Sequence, residues 1–584
     1  MKQSAQSSSF KRFLPYLSQY KKEIVGAISL GLLGGAATVM MTYYIGQAID
    51  TMVGVGHVNF KQLEYYLLIL VGLLGVASLA QWGVQLLGNK MAYHSVATLR
   101  KESFDHLNHL PVNYYDQHSH GDIISRFTND LDTVSEACVA IFNNLFSGMT
   151  IVLIAFVSML ALSWQLTLIV LVATPLIFLI SWLVARSSQK RFASQQRLVG
   201  DISGYVNEVI GNQKLVKAFQ YEDQSQQQFD KLNHTLQIEG QKAQYASSLT
   251  NPLSRFIDHL TYVFIGLIGG LLVVKGNTTL TVGMISSFTI YSSQFSKPFI
   301  ELSGITTQIQ TGLAGLDRTF QLLDEPIETE DTSDSLPLEQ TVGAIEFKHV
   351  AFSYTPDKPL IKDLNLSVKP GETIAIVGKT GAGKSTLVNL LMRFYDVSAG
   401  DILIDNHSIK DYQRDSLRKA FGMVLQDTWL FDGTIKDNLR LGKPGATDDM
   451  IIAGAKSANS HSFIMKLPQG YDTIIGSNGV KISEGQRQLL TIARTMISEP
   501  PMLILDEATS SVDTLTEQII QEGFLKMMTG RTSFVIAHRL STIRNADKIM
   551  VMDQGEVVEI GSHHDLLAIP DGAYSQLYHS QFAK

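Results

Sequence analysis

The chain has one cysteine, Cys138, in 584 residues, which leaves no partner for an internal disulfide and no thiol set for zinc or redox chemistry. That residue is expected to be a small buried group near the start of a helix. Basic patches are also missing, and with a formal net charge of −7 nothing points to nucleic acid. No long block of like charge marks a disordered tail. What the chain does have is length and an uneven spread of apolar residues. The half before about residue 320 holds long apolar runs, whereas the half after it alternates short strands, turns and charged helices, so one core cannot serve both.

Six apolar segments, at roughly 24–48, 65–88, 139–162, 166–185, 249–274 and 283–305, reach the length of about 20 residues that a bilayer crossing needs. The first is too long for a cleavable signal peptide and no small-residue cleavage site follows it, so retention is expected. Lys11, Arg12, Lys21 and Lys22 precede the first span, and Arg186, Lys190, Arg191 and Arg197 follow the fourth. The positive-inside rule then puts both ends in the cytoplasm. Buried helices of a large soluble core are the other reading, but six such runs with outer connections as short as Ser163 to Gln165 call for lipid.

The inner connections, Met91 to Cys138 and Ser187 to Ser248, are polar and rich in helix formers. Each is expected as two helices folded back on themselves, with about 24 residues per arm reaching roughly 36 Å beyond the membrane. Their tips fall near Asp116 to Asp122 and Gly211 to Glu222. Either alone could be a solvated hairpin; the pair below six spans reads as a coupling device. A polar join, Leu313 to Thr341, follows the last span. The expected division is a helical membrane domain over 1–315, a linker over 316–342 and a nucleotide-binding domain over 343–584, an α/β unit of about 240 residues.

Within the second half, Gly378 to Thr386 reads G-K-T-G-A-G-K-S-T, after the apolar strand Thr373 to Val377 and ahead of a helical stretch from Thr386 to Phe394. This is the phosphate-cradling pattern G-x-x-x-x-G-K-[ST] in its proper setting. Gly378, Gly381 and Gly383 allow the backbone N–H groups of Lys379, Thr380, Ala382 and their neighbours to turn inward around a triphosphate. Lys384 adds a point charge, and Ser385 can hold Mg²⁺. The apolar run Met502 to Leu505 ends in Asp506 and Glu507, which delivers two carboxylates at a strand's carboxyl end, where open α/β sheets bind ligands. Asp506 suits the Mg²⁺ shell and Glu507 a general base for water.

Thr532 to Ala537 is a further strand and ends in His538, placed to bond a γ-phosphate. Gln426 follows the strand Phe421 to Leu425 and fits either a sensor of Mg²⁺ and water or an ordinary loop residue. Tyr354 fits an adenine-stacking aromatic or a core tyrosine equally well.

With these motifs in order, the chain resembles the ABC exporter family along nearly its whole length. The resemblance implies a membrane all-α six-helix transmembrane domain fused to an α/β P-loop ABC nucleotide-binding domain, the type IV half-transporter arrangement. It implies that Tyr354 stacks on adenine and that Gly378 to Ser385 is the Walker A loop. Gln426 becomes the Q-loop residue, Asp506 with Glu507 the Walker B end, Ser511 to Asp513 the D-loop and His538 the switch histidine. Gly121 to Asp132 and Lys214 to Glu222 look like the intracellular loops that carry coupling helices.

One departure stands out. The family's signature L-S-G-G-Q reads I-S-E-G-Q at Ile482 to Gln486, and the preceding loop, often G-E-R-G, reads G-S-N-G at Gly476 to Gly479. The resemblance assigns Ser483, Gly485 and Gln486 to ATP held by the opposite subunit, so Glu484 brings a carboxylate toward a phosphate, and like charges in a dry interface repel. With Glu507 and His538 intact, the chain resembles the consensus-Walker-B subunit of heterodimeric bacterial multidrug exporters. ATP, Mg²⁺, a second half-transporter, the lipid bilayer and a small hydrophobic substrate are the implied partners. The alternatives are a homodimeric lipid or peptide exporter and an ATP-gated channel. Arg255, Asp258 and His259 in the fifth span fit a cavity lining, or an i, i+3 Arg255 and Asp258 pair near the inner leaflet.

Overall fold

The computed structural model describes residues 2–53, 58–275, 280–355, 357–426, 428–476, 479–506, 514–537 and 540–581. Glu507, Ser511 to Asp513 and His538 lie outside the described residues. The chain forms two compact units, Met1–Leu110 with His118–Pro326, and Pro111–Gln117 with Ile327–Lys584.

The first unit's described residues form helices α1 (Lys2–Ser18), α2 (Lys21–Asp50) and α3 (Phe60–Asn108), and, beyond α4 (Val112–Gln117) of the second unit, α5 (His120–Ser125), α6 (Leu131–Asn143) and α7 (Met149–Leu162). Then come α8 (Trp164–Gly211), α9 (Gln213–Ala218), α10 (Glu222–Ser248), α11 (Thr250–Val274) and α12 (Val282–Asp324). Five helical stretches among the described residues are long and apolar enough to cross a membrane: Lys21–Asp50, Phe60–Asn108, His120–Leu162, Trp164–Gly211 and Pro252–Val274. Span and projection are continuous in α3 and α8, whose 49 and 48 residues run roughly 70 Å each. The first projection breaks after Asn108 into α4, and the second breaks at Asn212 into α9 before α10 returns. The expected outer connection shrinks to Ser163, whose side chain caps α8 by accepting from Leu166 N.

The sixth expected span lies in α12, which is not among the five. Ser286, Ser287, Ser292, Ser293, Gln294 and Lys297 interrupt its apolar residues. Part of that polarity is turned onto α2. Ser287 Oγ donates to Thr42 O at 2.8 Å, Tyr291 Oη to Val39 O at 2.9 Å and Gln294 Nε2 to Thr42 Oγ1 at 2.9 Å. A spanning helix tolerates such groups where a neighbouring backbone satisfies them. Close approach here needs Gly283, since a Cβ on it would stand 2.0 Å from Gly46 O.

The C-terminal turns of α12 run into the stretch expected as a linker. Residues 316–324 are helical, because Leu313, Leu316, Phe320 and Leu323 recur at helical spacing and pack with Phe13 of α1 and Val134 of α6. Arg12 adds a paired contact to Asp324, at 2.6 and 2.8 Å. The remaining join is not free chain either. Leu336 N donates to Asp411 O at 2.8 Å, Leu338 N to Ser416 Oγ at 2.9 Å, and Leu338 is buried in the second unit's core.

That unit's strands are β1 (Ile345–Phe352), β2 (Ile361–Val368), β3 (Thr373–Gly378), β4 (Ala399–Ile404), β5 (His407–Ser408), β6 (Phe421–Val424), β7 (Gly433–Thr434), β8 (Ile474–Ile475), β9 (Met502–Asp506), β10 (Thr532–Ile536), β11 (Lys548–Asp553) and β12 (Glu556–Gly561). A six-stranded sheet runs β12-β11-β3-β10-β9-β6, parallel except for β12, beside an antiparallel sheet β2-β1-β4-β5. The parallel strands are apolar on both faces. Ile374, Ile376, Ile504 and Phe534 enter one core, and Ala375, Val377, Leu503 and Val535 the other.

Candidate functional site

β3 runs straight into the glycine loop, and α13 (Lys384–Leu391) leaves it with Gly383 at the helix N-cap. Gly378, Gly381 and Gly383 all have positive φ, at +156°, +84° and +100°, which favours glycine at each. A Cβ on Gly378 would stand 2.2 Å from Met552 O on the neighbouring strand, so the turn admits no side chain there. Lys384 bends back over the loop, its Nζ donating to Gly378 O at 2.7 Å and to Lys379 O at 3.0 Å. Burial pushes its ammonium pKa down, and the nearby Asp506 carboxylate opposes that shift. Lys379, Thr380, Gly381 and Ser385 are exposed around the loop, while Ala382 and Thr386 are buried beneath it. A concave backbone with a cation at one end and a hydroxyl at the next residue matches a polyphosphate and its cation.

Strand order brings the other groups to the same edge. Ile376 of β3 pairs with Ile536 of β10, and Ile536 with Asp506 of β9, so Asp506 stands two strands from the glycine loop, with β10 between. β6 lies on the other side of β9 with Val424 opposite Leu505, and the exposed Gln426 follows two residues later. Asp506 and Gln426 therefore leave the carboxyl ends of adjacent parallel strands.

Tyr354 is half exposed, its hydroxyl 3.2 Å from Thr386 Oγ1 and accepting from Asn389 Nδ2 at 3.3 Å. Phe352 and Tyr395 pack edge-on against its ring at 4.9 and 5.0 Å, so the side chain is anchored to the helix that follows the phosphate loop. Tyr395 also donates to Asp116 of α4. Sequence reasoning passed over Asn389 and Tyr395, whose partners are distant in the chain.

The helix Glu484–Ser498 begins with a capping box. Ser483 Oγ accepts from Gln486 N at 3.4 Å and Gln486 Oε1 accepts from Ser483 N at 2.9 Å. The Ser483 hydroxyl proton and the Gln486 amide remain able to donate outward, and Gly485 is buried between them. Glu484 does not project alone. Its Oε1 accepts from Thr428 Oγ1 at 2.8 Å and its Oε2 is held by Arg487, so the anticipated bare carboxylate is a neutralised one. Arg487 holds the Glu484 pKa below the usual carboxylate range against the opposing effect of burial, with Thr428 adding to the lowering. The i, i+3 spacing of Glu484 and Arg487 was legible in the sequence; the Thr428 contact was not.

Residues 24–299 match the ABC transporter transmembrane region, and residues 361–510 match the ABC transporter nucleotide domain. The chain is 39% identical over 577 residues to YfiC, an uncharacterized ABC transporter ATP-binding protein of Bacillus subtilis, covering 99% of this chain and 94% of that protein. It is 41% identical over 520 residues to a fatty acid ABC transporter ATP-binding/permease protein of Mycobacterium bovis, covering 89% and 82%. A multidrug export ATP-binding/permease protein of Staphylococcus aureus is 35% identical over 581 residues, covering 98% and 99%.

Proposed function

The chain belongs to the ABC transporter family as an exporter-type ATPase with membrane and nucleotide domains fused, and from that premise we propose that it exports hydrophobic or amphipathic drugs across the plasma membrane as one half of a heterodimer. Glu484, third in the signature and first in its helix, carries the heterodimer reading. Where the standard signature has glycine it adds a carboxylate, held by Thr428 and Arg487, to a helix N-terminus otherwise suited to a phosphate, while Asp506 and Glu507 keep the acidic pair needed for turnover. A partner with the standard signature and a weaker Walker B acid complements it.

In this reading Tyr354 stacks on adenine, Gly378 to Thr386 hold the phosphates through backbone N–H groups, and Lys384 turns from the Gly378 and Lys379 carbonyls to them. Ser385, Asp506 and Gln426 would hold Mg²⁺, which neutralises the phosphate charge when bound. Glu507 takes the proton of the attacking water, and His538 donates to the γ-phosphate. Asp513 meets the opposite subunit, to which Ser483, Gly485 and Gln486 also face. The nucleotide domain and both termini lie in the cytoplasm, on the side marked by Lys11, Arg12, Lys21 and Lys22.

A lipid cargo is the second reading, favoured by the likeness to the mycobacterial fatty acid transporter. Dye efflux, fatty acid efflux and ATPase should be measured for this chain with and without the product of a neighbouring transporter gene. Robust ATPase and drug export by the chain alone would overturn the heterodimer, and fatty acid export without drug export would favour the second cargo.

A further inference from the structure

Between β6 and β7, Leu425, Trp429 and Phe431 are exposed. The helix Glu484–Ser498 holds this loop at two points. The first is multiple. Arg494 Nε donates to Asn438 O at 2.9 Å, Nη1 to Trp429 O at 3.3 Å and Nη2 to Asn438 Oδ1 at 3.2 Å. Asn438 is buried, and it accepts from Phe431 N at 2.8 Å and donates to Phe431 O at 2.9 Å.

The second point starts from Glu484, ten residues earlier on the helix, and reaches Thr428, the neighbour of Trp429. It consists of the Thr428 hydroxyl on Glu484 and the Arg487 ion pair, with the Glu484 side chain 40% exposed. Several hydrogen bonds together hold more firmly than one, and the single half-buried bond from Thr428 to Glu484 can open and close at small cost.

We propose that Glu484 is a positioning residue that ties the Gln426-bearing loop of one ATP site to the helix N-terminus that serves the other, so that closure at one site sets the loop at its neighbour. This rests on the site assignments above but not on the heterodimer. The carboxylate at the third signature position is then a link between two sites within one chain, and not only a defect in one of them. Glycine there cannot form the link, because the acceptor is missing. Glutamine can, because its amide oxygen still accepts from Thr428. A loop held out of register should slow the chemical step and leave nucleotide affinity alone.

The test uses the full-length transporter in whichever assembly hydrolyses ATP, this chain alone or with its partner. Thr428→Val, Glu484→Gly, Glu484→Gln and the Thr428→Val/Glu484→Gly double variant are compared for kcat and for KM of ATP, with thermal melts confirming folding. Loss of one hydrogen bond corresponds to about fivefold. Thr428→Val and Glu484→Gly should each lower kcat by about that factor with KM within about twofold, the double variant should be no slower than either, and Glu484→Gln should keep most of kcat. Wild-type kcat in Thr428→Val, additive losses, or a gain in turnover shared equally by Glu484→Gly and Glu484→Gln would overturn the tie and leave simple repulsion of phosphate. Because either assembly serves, failure of the heterodimer would not be mistaken for failure of the tie.

Discussion

Lys384 donates to the carbonyl of Gly378 across 2.7 Å, so the cation that follows the glycine loop is held by the loop's own backbone. Phosphate oxygens are the stronger acceptors, and a charge-assisted bond to them replaces a bond to a neutral carbonyl. Lys384→Ala should therefore weaken ATP binding by tenfold or more, read by titration of the purified protein with a fluorescent nucleotide. Affinity unchanged within error would remove Lys384 from the phosphate site.

Glu507→Gln keeps the size of the side chain and removes its basicity. Turnover should drop by about 100-fold or more while nucleotide affinity stays within a few-fold, so that loss lies in chemistry and not in binding. Phosphate release in single-turnover assays is the measurement. A variant retaining a third of wild-type turnover would rule out Glu507 as the base.

Gly378→Ala would place a methyl group 2.2 Å from Met552 O, in a turn with φ of +156°. The strand ends must part to accept it, at a cost of about 1–3 kcal/mol. Both a lower melting temperature and a smaller stabilisation by added ATP are expected in differential scanning fluorimetry. Wild-type melting with full response to ATP would mean that β3 and β11 separate freely at this point.

Glu328, near the start of the second unit's Ile327–Lys584 segment, grips Arg418 with both carboxylate oxygens and approaches Arg414 Nε at 3.7 Å. Arg414 is buried and also donates to Thr329 Oγ1 at 2.8 Å, so the join is fastened to α14 (Arg414–Lys419). Glu328→Gln should cost about 2 kcal/mol, or about 4–8 °C in the unfolding of the nucleotide domain. A shift below about 1 °C would mean that the pair is fully compensated by solvent.

Local pattern carried far in this chain. Apolar runs of spanning length, the strand before the glycine loop and the strand ending at Asp506 are each continuous in sequence, so periodicity and composition alone assign their type. The glycine loop was legible for the same reason, since its chemistry sits in nine consecutive residues, Gly378 to Thr386. α12 shows the limit of that approach. Its serines and Gln294 dilute the apolar signal, and only the packing on α2 explains why a polar helix stands there. Within the polar join, the partners of Glu328 and Asp331 are Arg414 and Arg418, more than 80 residues away, and only the fold places them together.

The residues of Gly378–Ser385, Asp506 and Ser483–Gln486 were therefore determined by sequence as candidates, because each set is a short run whose chemistry does not depend on distant neighbours. Which of them share an edge was decided by the strand order β3-β10-β9-β6, through hydrogen bonds between segments more than 100 residues apart in parts. The state of Glu484 was also a tertiary decision. A carboxylate in a sequence is a charge, and only the fold, by bringing Thr428 across 56 positions and Arg487 across one helical turn, makes it a bonded and neutralised one.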